Sequence, residues 1–212
     1  DIAGKEMGKL YTQLAIAHTY GDGLVSSCKN TVKAVSDYLY GVKIDNYISV
    51  TMDAVSRLND CVGGVTVTVD DDMTAVDPSF VKGTTVTLLG DKALEYVRAR
   101  GAMEDSSNLA RMERQKKYLA AFVEKLADMN VTDTFLLNAY DQIAEYSVTN
   151  CDTSFISALS RKIGTYSYAG AISPKGDAQV GEKYMEFYAD EEDLINILIE
   201  LFYDRTQEPT EN

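Results

Sequence analysis

The residues best able to do chemistry together lie in one stretch. It reads Glu95-Tyr96-Val97-Arg98-Ala99-Arg100, then Asn108-Leu109-Ala110-Arg111-Met112-Glu113-Arg114-Gln115. Arg98 and Arg100 fall where helical periodicity ends. Arg111 and Arg114 stand three residues apart in the first turns of the next helical segment, so they share a face. A connection of about ten residues can fold the two helices back on each other, gathering four guanidinium groups. Such a cluster repels itself unless an anion joins it, and the planar fork matches phosphate oxygens in bidentate fashion. A helix N-terminus nearby adds free N–H groups and a positive dipole end. The physical reading is a phosphate or diphosphate site. The same residues read equally well as four arginines paired with Glu95, Glu104, Asp105 and Glu113.

Other chemistry is sparse. His18 is the single histidine and sits on a helical pattern, which suits a structural role better than a general base. Cys28, Cys61 and Cys151 are far apart and form no CxxC, so they read as small buried hydrophobes, with one disulfide left open. Asp70-Asp71-Asp72 offers three carboxylates to a hard cation, but the spacing is not that of an EF-hand and a solvated turn is favoured. Walker, GxGxxG, GxSxG and HExxH patterns are absent.

The elements that must position the arginines belong to a 212-residue chain with 45% hydrophobic and 25% charged residues. That length can bury roughly 70% of the unfolded surface. Three Pro and fourteen Gly exclude collagen-like and Pro-rich designs, and no apolar run reaches the ~18 residues of a membrane span. The net charge is −13, which argues against nucleic acid as a partner. It is uneven: residues 1–91 carry −5, residues 92–125 carry +3 and residues 126–212 carry −11. The one basic stretch is the one holding the arginines.

Periodicity predicts helices over about 5–19, from Ser26 or Ser27 to a stop at Gly41, from Thr51 to Val62, and from Gly90 to Arg98. Further helices are expected over about 106–128, from Thr132 or Asp133 to Ile143, over Ser154 to Ile163, and beyond the cap Asp190. Strands are expected over Val42 to Val50, Val65 to Val69, Thr84 to Leu89 and Tyr184 to Ala189. Residues 165–183 read as a Gly- and Ser-rich loop. The class is α/β: a layered α-β-α domain over residues 1–204, its central mixed sheet flanked by helices, with residues 205–212 a polar tail.

At these residues the sequence resembles the LytR-CpsA-Psr family. Leu89-Gly90-Asp91-Lys92-Ala93-Leu94-Glu95-Tyr96-Val97-Arg98-Ala99-Arg100 is similar to the family's L-x-G-x-x-A-L-x-Y-V-R-x-R, and Arg111 to Gln115 resembles R-x-x-R-Q. Lys9-Leu10 with His18-Thr19-Tyr20-Gly21, Gly41 to Tyr47, Asp53 to Val67, and Val148-Thr149-Asn150 resemble further family segments in the same order, over about residues 9–203.

The resemblance implies an extracytoplasmic phosphotransferase, held at the cell surface by an N-terminal membrane anchor. It would take a glycopolymer from a polyprenyl-pyrophosphate carrier and attach it to peptidoglycan by a phosphodiester. Teichoic acid and capsular polysaccharide are the typical cargo. By the resemblance Arg98, Arg100 and Arg111 hold the pyrophosphate, Asn108, Arg114 and Gln115 support them, and Mg²⁺ bridges the phosphate oxygens. The lipid would lie in an apolar tunnel, expected near Ile48 and Val67 and the helix carrying Leu119 and Phe122. Two departures stand out. Asn108 and Ala110 occupy places where the family has Asp and Gly, leaving Asp105 as the nearby carboxylate that could act in catalysis. The opening region that supplies an arginine and the acidic Mg²⁺ ligands is expected upstream of residue 1. The alternative reading is a non-catalytic module that binds polyprenyl phosphate or cell-wall glycan.

Overall fold

The computed structural model describes residues 14–99, 108–129, 132, 134–163, 165–180 and 185–203. After a 3₁₀ segment at Leu14–Tyr20, the elements run α1 (Val25–Tyr38), β1 (Ile48–Val50), α2 (Asp53–Cys61), β2 (Val65–Thr68), β3 (Thr85–Leu88), α3 (Asp91–Arg98) and α4 (Asn108–Asp128). They continue through α5 (Phe135–Ile143), a 3₁₀ turn at Ala144–Tyr146, β4 (Ser147–Thr149), α6 (Thr153–Ile163), β5 (Gly176–Val180), β6 (Met185–Ala189) and α7 (Glu191–Phe202).

The α/β class stands. In place of one central mixed sheet, the described strands pair as three two-stranded antiparallel ladders: β1 with β4, β2 with β3, and β5 with β6. For β2 and β3 the physical reason is connectivity. No helix separates β2 from β3, and a return without a crossover helix favours antiparallel pairing; β1 and β4 pair antiparallel across the four helices between them. In the β2–β3 ladder Val65 pairs with Leu88 and Val67 with Val86. Alternation turns Val65 and Val67 inward and leaves Thr66 and Thr68 outside. Their hydroxyls meet those of Thr87 and Thr85 at 2.9 and 3.3 Å.

The buried core forms around this ladder. Val65, Val67, Val69 and Leu88 pack with Met73 and Phe80 from the β2–β3 loop, Ala93, Tyr96 and Val97 from α3, and Leu126 from α4. Phe80 and Tyr96 meet edge to face, with ring centroids 5.8 Å apart. Asn59 sits fully buried at the junction of α2, β2, β3 and α4. Its Nδ2 donates to the Leu88 carbonyl at 2.8 Å, and its Oδ1 accepts from Val65 N–H at 3.1 Å and Tyr118 O–H at 3.3 Å.

Several boundaries move. The N-cap position of α1 falls on Leu24, not Ser26 or Ser27; the carboxylate of Asp22, two residues earlier, accepts from the N–H groups of Leu24, Ser26 and Ser27, which holds its pKa below the usual carboxylate value. Gly41 does end the α1 region, at φ +88°. Only Ile48–Val50 of the expected 42–50 strand pairs, because the preceding segment is held by side chains instead. Asn150 Oδ1 accepts from Tyr47 N–H and its Nδ2 donates to the Asp45 carbonyl, both at 2.8 Å. Within the expected 165–183 loop lies β5, whose pairing comes from β6 and not from its own Gly-Asp-Ala-Gln-Val sequence. All three cysteines are free. Most of the expected 5–19 helix lies outside the described residues.

Candidate functional site

Helix α3 runs from Asp91, after the N-cap Gly90 at φ +55°, to Arg98. It buries Ala93, Tyr96 and Val97 on one face and leaves Arg98 exposed in its last turn. A cation at a helix C-terminus is favoured by the macrodipole. Helix α4 begins at Asn108 with no acidic residue in its first turn, and Arg111 and Arg114 follow within its first two turns. A cation in the first turn, as Arg111 is, opposes the dipole by about 0.3–1 kcal/mol. The combined positive end suits an anion and is otherwise mildly unfavourable.

The two helix ends are joined by side chains of α4. Arg114, only 3% exposed, donates from Nη2 to the Ala99 carbonyl at 2.6 Å, and Gln115 donates from Nε2 to the Val97 carbonyl at 3.1 Å. Carbonyls at a helix C-terminus lack intrahelical donors, so these two bonds complete the end of α3 and fix the backbone on both sides of Arg98. Arg111 stands half-buried one turn before Gln115.

A buried polar layer lies beneath. The Tyr96 hydroxyl and the Nε and Nη1 of Arg114 have no hydrogen-bond partner among the described residues. Burial pushes the Tyr96 phenol up to about 12, with the charges of Asp70 and Asp71 adding to the rise and Arg114 opposing it. Asp70 itself pairs with Lys117 of α4. The acidic run is thus split: Asp72 caps its own turn by accepting from Thr74 N–H at 3.0 Å, while Asp70 is tied to the helix that carries the arginines. Among the described residues no three His, Cys, Asp or Glu side chains gather as a metal site.

Of the residues singled out in the sequence, Arg98 ends α3, Arg111 lies in the first turn of α4, and Arg114 and Gln115 join α4 to the end of α3. Arg114 and Gln115 turn toward main-chain carbonyls and so hold the segment that presents Arg98. Arg100 and Asp105 lie outside the described residues, as does the side chain of Asn108. The Lys117–Asp70 pair and the Asn59 junction are not visible in the sequence, since both join residues more than 25 positions apart. The tunnel lining differs from expectation: Val67 and Phe122 pack in the core, while Ile48 and Leu119 are exposed.

The model of the LytR_cpsA_psr family matches residues 1–192. The chain is 33% identical over 115 residues to the polyisoprenyl-teichoic acid–peptidoglycan teichoic acid transferase TagU of Bacillus cereus, covering 54% of this chain and 36% of that protein. It is 31% identical over 172 residues to TagT of Bacillus subtilis, a transferase of the same description, covering 78% of this chain and 48% of TagT. The chain therefore spans less than half the length of these two relatives. Among solved structures, TagT bound to LI-WTA aligns with a TM-score of 0.68 at 25% identity, over 90% of this chain and 70% of that one.

Proposed function

This chain belongs to the LytR-CpsA-Psr family, and from that premise we propose that it serves glycopolymer transfer from a polyprenyl-pyrophosphate carrier to peptidoglycan. The observation that carries the proposal is the α3–α4 junction. An exposed Arg98 is held between two satisfied carbonyls, beside a helix N-terminus that adds Arg111 and lacks acidic residues. Relatives named as teichoic acid transferases support it.

In this reading Arg98, Arg100 and Arg111 clamp the diphosphate and offset its charge. An acceptor hydroxyl of peptidoglycan then attacks the sugar-bound phosphorus. The bridging P–O bond breaks, polyprenyl phosphate departs with the bond electrons, and the hydroxyl proton passes to a base or to water. The phosphodiester is left on the acceptor. Clamping both phosphates acts where charge develops on the leaving oxygen. Mg²⁺ would add Lewis-acid charge at the same oxygens; among the described residues no three His, Cys, Asp or Glu side chains gather to hold it. The reaction is placed at the cell surface, with a membrane anchor. No helix among the described residues is long and apolar enough to cross a membrane.

The test is transfer of a lipid-linked glycan to peptidoglycan by the intact protein, with and without Arg98→Ala. Transfer that depends on Arg98 supports the proposal. Binding of the lipid-linked glycan without release of polyprenyl phosphate would replace it with the binding-module reading.

A further inference from the structure

A second group of hydrogen-bonding side chains lies at the other end of α3. Helices α2 and α5 flank an open cavity of about 450 Å³ whose walls include Arg57, Asp60, Phe135, Asn138 and Gln142. That volume lies in the range of small-molecule sites, roughly 300–1,000 Å³. Arg57 and Asp60 are three residues apart on α2, the spacing of a helix ion pair, yet each is bound to other partners. Arg57 lies over the Tyr146 ring, 4.4 Å from its centroid, and its Nη2 donates to the Tyr146 hydroxyl at 2.8 Å. Asp60 Oδ1 accepts from Gly90 N–H at 2.8 Å and from Asn59 Nδ2 at 3.1 Å. Each charged group is held by its own partners and lines the cavity.

Helix α5 supplies the opposite wall. Asn138 and Gln142 stand four residues apart and share a face, with Phe135 one turn before Asn138. Each primary amide brings two donors and an acceptor. The lining carries one positive and one negative side chain, so the cavity favours neither an anion nor a cation. Planar groups that donate and accept side by side match neighbouring hydroxyls, and the Phe135 ring offers apolar surface to the C–H face of a pyranose. We propose that this cavity is a subsite for a neutral sugar ring. Gly90, which Asp60 grips, starts the helix that Arg98 ends. Eight residues at 1.5 Å each separate the two ends by roughly 12 Å. A glycan seated here while its diphosphate is held at Arg98 would lie along α3. In that respect the inference deepens the glycan-transfer reading and rests on it.

The test is binding without transfer. The isotope-labelled intact protein is titrated with N,N′-diacetylchitobiose, a neutral wall-type sugar, and the side-chain amide signals of Asn138 and Gln142 are followed by NMR. Saturable shifts of those signals and of the backbone amides from Arg57 to Cys61 are expected. The double variant Asn138→Ala, Gln142→Ala changes exposed positions of α5 and should weaken binding about tenfold or more. Absence of shifts, or affinity untouched by the double variant, would overturn the subsite, as would the same shifts evoked by inorganic phosphate. Glycan transfer with a silent cavity sinks the subsite alone. Sugar binding here with no transfer supports the subsite and sinks the transfer reading alone.

Discussion

Arg114 and Ala99 are fifteen residues apart, and the guanidinium of the first donates to the main-chain carbonyl of the second at 2.6 Å. A buried cation is thereby committed to a backbone carbonyl, while its Nε and Nη1 remain without partners among the described residues. The bond matters because of what Ala99 adjoins: it follows Arg98, the exposed cation at the end of α3.

Arg114→Ala is expected to lower stability by about 1–3 kcal/mol. It deletes a charge-assisted bond and leaves a helix-end carbonyl without its donor, offset in part by relief of the unsatisfied Nε and Nη1. Urea denaturation of the variant measures the change. Transfer should fall further than stability alone explains, with the affinity for a lipid diphosphate reduced, because the Arg98 segment loses its tether.

Arg98→Ala should behave oppositely. Arg98 is exposed, so unfolding free energy should move by no more than about 0.5 kcal/mol. Glycan transfer should drop about 10²–10³-fold, the effect of losing one donor aimed at developing charge. Parallel thermal melts and transfer assays separate the two variants.

Asn59→Leu is expected to cost about 2–4 kcal/mol although the two side chains share one branching pattern and the same number of heavy atoms. The substitution strips partners from the buried Leu88 carbonyl and Val65 N–H together, and each unsatisfied group costs about 1–3 kcal/mol. Chemical denaturation should show the loss with an unchanged m-value.

Alkaline pH should destabilise the fold through Tyr96. Its phenol titrates near 12 when folded and near 10 when unfolded. Between those values the unfolded chain has lost the proton and the native chain keeps it, so stability falls as pH rises above about 10. Below 10 both states are protonated and the contribution is constant. Tyr96→Phe should flatten this decline and leave neutral-pH stability unchanged or raised, since the hydroxyl it removes has no partner among the described residues. Melting temperatures measured across pH 8–11.5 check it.

Much of the candidate site is legible in the residues alone. Arg98, Arg111, Arg114 and Gln115 stand out because arginines three residues apart on a helix announce a shared face, whatever the fold. Helices α3 to α7 follow from apolar spacing, and β2 from alternating Val and Thr, because both signals are local and periodic. Local signals cannot say that Arg114 and Gln115 turn away from a ligand to hold carbonyls at Ala99 and Val97. Nor can they say that Asp70, whose neighbours suggest a solvated turn, is tied to Lys117, or that the Asp22 carboxylate takes the N–H groups of Ser26 and Ser27 at the start of α1. Each of those outcomes is a competition among several acceptors for one donor, or several donors for one acceptor. β5 makes the same point. Gly176-Asp177-Ala178-Gln179-Val180 has little intrinsic preference for a strand, and its hydrogen bonds come from β6. Residue type and spacing determine which groups exist and which helical faces they share. The tertiary structure alone decides which of those groups are used up in holding backbone and which are left for a ligand, because distance across the fold is not encoded in separation along the chain.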